Sequence, residues 1–96
     1  MSDFSDVLER LAATIAARKG ADPASSYTAQ LLGDPKRAAK KLGEEAVELA
    51  TACALGDPGR AVEEAADLLY HALVACRAVG VTTAEVLGVL EARLDR

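Results

Sequence analysis

The sequence has no tryptophan, one phenylalanine, two tyrosines and a single histidine, against 21 alanines in 96 residues. Its apolar side chains are therefore mostly small: helices can approach closely, but each contact fills little volume. A chain this short buries a modest fraction of its surface, so partner subunits are an expected way to enlarge the core. Positive charge is not in excess either. Fifteen acidic residues stand against eleven basic ones, a net charge of −4, which argues against a general nucleic-acid binder. No apolar run reaches the roughly 18 residues of a membrane span, and no signal-peptide pattern opens the chain, so no membrane role is expected. Nothing alternates apolar and polar residues as a half-buried strand would, and solenoid repeats and low-complexity tracts are missing. The two cysteines, Cys53 and Cys76, fall on the apolar sides of different helical segments. They read as buried thiols of a reducing, cytoplasmic compartment.

What is present is alanine-rich, helix-forming sequence with clear punctuation. Ser5 is placed to cap a first helix that runs to about Lys19 and ends at Gly20. A short helix over "SYTAQLL" stops at Gly33. Asp34-Pro35 pairs a cap with proline at the first helical position and opens a helix to about Leu55. Asp57-Pro58 repeats the device and opens a second long helix to Gly80, and Thr83 caps a last helix to the C-terminus. The expectation is one all-α domain over residues 1–96, an antiparallel bundle of four to five helices. The 58–80 helix is apolar around more than half its circumference, more than one neighbour can cover, which favours a subunit interface there.

Two groups of acids interrupt the long helices. Glu44, Glu45 and Glu48 lie in the C-terminal half of the first, and Glu63, Glu64 and Asp67 in the N-terminal half of the second. A tight turn makes these helices antiparallel neighbours, so folding brings the groups to similar height. Glu45 and Glu48 stand about 60° apart on one helix face, as do Glu64 and Asp67 on the next. Four carboxylates facing across a partly desolvated groove would repel; they either bind a cation or raise their pKa values. Oxygen donors without sulfur or imidazole suit Mg²⁺ or Mn²⁺. A single E-x-x-E is more simply a solvated helix face. A di-iron centre would want Glu-x-x-His pairs, and His71 has leucine three residues before it; His71 reads as a packed or hydrogen-bonded residue. Arg37 and Lys41 precede Glu45 on the acid-bearing face, where Lys41 either bridges to Glu45 or contacts a phosphate beside a metal. Gly43 costs a helix about 1 kcal/mol against alanine, and close packing of another helix is the expected reason for it.

"SYTAQLL", "KKLGEEAVELATA" and "EEAADLLYHALVACRAVGV" resemble the phosphoribosyl-ATP pyrophosphatase family, which belongs to the all-α nucleotide pyrophosphatases related to MazG. The resemblance runs from about Ser26 to Gly80. It implies that Glu45, Glu48, Glu64 and Asp67, matching E-x-x-E and E-x-x-D, bind Mg²⁺ (Mn²⁺ being possible). It further implies hydrolysis of the α–β phosphoanhydride of phosphoribosyl-ATP to phosphoribosyl-AMP and pyrophosphate, the second step of histidine biosynthesis. Lys40 and Lys41 match the family's paired lysines and would contact phosphates. Tyr27 and Thr28 match its "SYT" and would lie near the nucleotide, unless the tyrosine merely packs and Ser26 merely caps. Glu44 is the candidate for orienting the attacking water, or else an outer-shell or solvated acid. Family members work as homo-oligomers, commonly dimers. Many relatives carry the domain behind a phosphoribosyl-AMP cyclohydrolase; no such segment or cysteine set is seen here, so the next step would fall to a separate protein. The "EARLDR" end is shorter than in many relatives. A house-cleaning nucleoside triphosphate pyrophosphatase would use the same acids, and a non-catalytic helical interaction module would not need them.

Overall fold

Each helix start in the computed structural model, which describes residues 3–94, is dictated by a short polar residue placed just ahead of it. Five helices result among the described residues: α1 (Phe4–Arg18), α2 (Tyr27–Leu32), α3 (Pro35–Ala54), α4 (Pro58–Ala78) and α5 (Thr83–Leu94). Asp34 Oδ1 accepts from the Arg37 N–H at 3.2 Å and Asp57 Oδ1 from the Arg60 N–H at 3.1 Å, with proline next in each case. Ser26 caps α2 through the Ala29 N–H. Two expected caps move. Asp3, not Ser5, caps α1, accepting from the Asp6 N–H at 2.8 Å; its carboxylate also suits the positive end of the helix better than a hydroxyl. At α5 the cap is Thr82, one residue earlier than expected. Thr82 Oγ1 accepts from the Glu85 N–H while Glu85 Oε1 accepts from the Thr82 N–H, a reciprocal capping box. The expected continuation of α5 to the C-terminus concerns residues 95 and 96, which lie outside the described residues.

Three helices end where glycine takes a left-handed conformation, at Gly20 (φ 80°), Gly56 (φ 67°) and Gly80 (φ 88°). The Gly56 turn folds α3 back along α4, and α1, α2 and α5 also pack on α4. The core gathers Ile15, Leu31, Ala38, Leu73 and Val74, flanked by Leu11, Leu32 and Tyr70. Neighbours thus cover the C-terminal half of α4, where His71, Leu73 and Val74 are buried. One face of α4 is left open from its first turns to its middle: Val62 is 71% exposed and Leu69 51%, and Ala66 lies between them on that face.

The same one-sided cover explains two corrections. Along α3 the buried residues are Ala38, Glu45 and Ala52, seven apart, a single seam against α4. Cys53, beside that seam, is exposed rather than buried, and Cys76 is half-buried; neither is in a disulfide. Gly43 is not at a packed contact: a Cβ built there meets nothing within 4 Å in this chain. Among the described residues no single helix is long and apolar enough to cross a membrane.

Candidate active site

Glu45 occupies the seam position where α3 places alanine two turns before and two turns after it, so its carboxylate is carried into the hairpin. It is only 9% exposed. There it meets Glu48, one turn on, and Glu64 from α4; one carboxylate oxygen of each lies within 4.8 Å of the others. Glu64 is half-buried and Glu48 exposed. Glu45 Oε2 and Glu64 Oε2 are both shut off from solvent and neither has a hydrogen-bond partner. Buried oxygens of that kind are rare in folded proteins because each forfeits its hydration.

The electrostatics follow. Burial holds the Glu45 carboxyl above the usual carboxylate range, and the charge of Glu48 adds to the effect. Glu64 is raised as well, first by the Glu48 carboxylate close beside it, then by burial and by the other charges around it. Asp67, the fourth expected acid, is exposed and stands outside the three-oxygen cluster. Its charge is nevertheless felt at both Glu45 and Glu64, so it borders the site.

The cations sort themselves differently from the expected pattern. Lys41 Nζ lies 3.2 Å from Glu44 Oε2. It bridges to Glu44 rather than to Glu45, because Glu45 is turned into the seam. This contact, chiefly, raises the Lys41 pKa, with Tyr27 and Glu45 contributing. Glu44 is thus separate from the three-oxygen cluster and tied to the lysine. Lys40 is exposed, and Arg37 is turned away to Gln30, with Nη1 donating to Oε1 at 3.1 Å.

The start of α2 is fastened to α4 by two adjacent side-chain pairs. The Tyr27 hydroxyl meets His71 Nε2 at 3.1 Å, and Thr28 Oγ1 is hydrogen-bonded to the Tyr70 hydroxyl. His71 Nδ1 meets the Asp67 carbonyl oxygen at 2.7 Å. Both tyrosine rings stand edge-on to the imidazole, with centroids 5.9 Å (Tyr27) and 5.0 Å (Tyr70) away. His71 is therefore a hydrogen-bonded core residue, as its sequence context implied. Tyr70 was missed by the sequence reading; its only signal is its place beside His71, three residues after Asp67. A cavity of about 450 Å³ lies between α1 and α5, beside Leu8 and Leu87, and shares no lining residue with the acids.

An all-α bundle that clusters carboxylates across a helical hairpin, with a lysine alongside, is the class that fold and site define. The family model for Phosphoribosyl-ATP pyrophosphohydrolase matches residues 8–94, and the chain belongs to that family. It is 57% identical over 90 residues to a phosphoribosyl-ATP pyrophosphatase of Caulobacter vibrioides, covering 94% of this chain and 84% of the relative. With that of Cereibacter sphaeroides it shares 60% identity over 88 residues, covering 91% and 85%. With that of Dinoroseobacter shibae the identity is 57% over 88 residues, covering 91% and 86%.

Proposed function

We infer that this chain hydrolyses the α–β phosphoanhydride of phosphoribosyl-ATP, giving phosphoribosyl-AMP and pyrophosphate in the second step of histidine biosynthesis. Family membership supports the reaction. The structural observation that carries the reading is the pair of buried, unpartnered oxygens on Glu45 and Glu64, which a cation would satisfy. The donor set is entirely carboxylate, as a hard divalent ion prefers. Glu45, Glu48 and Glu64 would hold Mg²⁺ (Mn²⁺ in its place), with Asp67 completing the set from the next turn of α4. When bound, the ion supplies charge neutralisation for the polyphosphate and for the leaving pyrophosphate.

The chain's own residues would do the rest. Lys41 and exposed Lys40 offer ammonium donors to phosphate oxygens beside the acids. Glu44, held by Lys41, would orient the attacking water as a general base. Tyr27, the first residue of α2, is near enough to Lys41 to contribute to its raised pKa and would border the nucleoside, whereas the Thr28 hydroxyl is already engaged with Tyr70. The exposed apolar face of α4 at Val62 and Leu69, together with Val47 on α3, supports a homodimer or higher homo-oligomer. A substrate built from ATP supports a cytoplasmic location.

The test is product analysis with phosphoribosyl-ATP and a panel of ordinary and deoxy nucleoside triphosphates. Phosphoribosyl-AMP and pyrophosphate from phosphoribosyl-ATP alone is the expected result. Preference for a simple triphosphate would replace this reading with nucleotide house-cleaning, and no turnover of any substrate would leave a non-catalytic module.

A further inference from the structure

His71 is the chain's only histidine, it is buried (8% exposed), and both of its ring nitrogens are engaged. A carbonyl oxygen can only accept, so the contact with the Asp67 carbonyl puts the single ring proton of the neutral imidazole on Nδ1. Nε2 is then an acceptor, and the Tyr27 hydroxyl donates its one proton to it. The Tyr27 oxygen is left with lone pairs only. Tyr27 is 41% exposed and lies close enough to Lys41 to contribute to that lysine's raised pKa, which puts it beside the face where Lys41 and the acids lie.

We propose that His71 is a positioning residue that turns Tyr27 into an acceptor-only contact, so that Tyr27 takes a hydrogen bond from a hydroxyl or amino donor of the substrate and gives none to a phosphate. Phosphate oxygens offer no proton at neutral pH, so the donor belongs to a sugar or base portion, and Tyr27 discriminates that portion while Lys40 and Lys41 serve the phosphates. The edge-on packing of Tyr70 and Tyr27 against the imidazole holds its orientation, and the Thr28–Tyr70 pair fixes the adjacent residue of α2. The proposal deepens the reading of the site as a phosphoribosyl-ATP hydrolase and rests on it for the substrate, but not for the tautomer.

Two measurements test it. Imidazole ¹⁵N NMR of the untagged protein reports the sole histidine without assignment and without substrate. The Nδ1–H tautomer is expected, with the Nε2 signal moving in Tyr27→Phe; the Nε2–H tautomer overturns the proposal. The second is steady-state kinetics on phosphoribosyl-ATP. Tyr27→Phe is expected to raise KM about 5-fold, the worth of one neutral hydrogen bond, with kcat little changed. His71→Gln, whose side-chain oxygen can still accept from Tyr27, should stay near the wild-type KM, while His71→Leu, which leaves the Tyr27 oxygen but frees its proton, should raise KM by no more than Tyr27→Phe does. An unchanged KM in Tyr27→Phe, or a fall in kcat alone, overturns the proposal. Failure of the wild-type protein to act on phosphoribosyl-ATP would instead be failure of the functional reading, visible before any variant is made.

Discussion

Replacing Glu45 by glutamine removes a charge from the α3–α4 seam while keeping its shape, and the structure says how stability should respond. At the 4.8 Å that bounds the acid cluster, and with an effective dielectric of about 20, one pair of like charges costs about 3.5 kcal/mol. Glu48 is exposed, and screening cuts its share to about 1 kcal/mol. Glu45→Gln should therefore be more stable than wild type in a chelator, by about 1 kcal/mol, or roughly 4–8 °C in Tm for a domain this size. A cation bound by the folded state adds about 2.7 kcal/mol at one hundred times its Kd, and the variant forfeits much of that. The order should invert: variant above wild type in chelator, wild type above variant in excess Mg²⁺. Thermal denaturation at one protein concentration reads both arms. A variant that melts lower than wild type without metal would refute the account of the seam as electrostatically strained.

Glu45 and Glu64 both have folded pKa values above their ordinary 4.5, so the folded state binds more protons than the unfolded one just above that value. The stability they contribute is fully present below about pH 4.5 and is lost as pH rises through the folded pKa values; urea unfolding in chelator at stepped pH should show this fall, and a rise over that range contradicts it. Gly43→Ala should raise Tm, because a methyl group there meets nothing in the chain and alanine favours the helix by about 1 kcal/mol; a fall in Tm would mean that another chain fills that space. Thr82→Ala should cost about 1 kcal/mol in urea unfolding by removing the cap of α5, and no loss would refute the capping box.

The long helices and their acids were legible because their signals are local. Asp34-Pro35 and Asp57-Pro58 mark two starts within two residues each, and the Glu45/Glu48 and Glu64/Asp67 spacings put each pair on one helix face. Caps with two good candidates were harder: Asp3 and Ser5 both suit the start of α1, and Thr82 and Thr83 that of α5. The exposure of Cys53 was not legible, since periodicity finds a helix's apolar side but not how many neighbours cover it. Nor was the fastening of α2 to α4. The Tyr27–His71 and Thr28–Tyr70 pairs join residues 44 and 42 positions apart, and no spacing rule links them. Lys41 chose Glu44 over Glu45 because the seam had already claimed Glu45.

The central claim is that a divalent cation held by the hairpin acids carries the hydrolysis. It is tested most directly by pyrophosphate release from phosphoribosyl-ATP in chelator, followed by stepwise return of Mg²⁺, for wild type and Glu64→Gln side by side. The account predicts no release in chelator, saturable recovery in wild type, and recovery in Glu64→Gln that needs far more Mg²⁺ or fails. Equal rates with and without Mg²⁺ would contradict it.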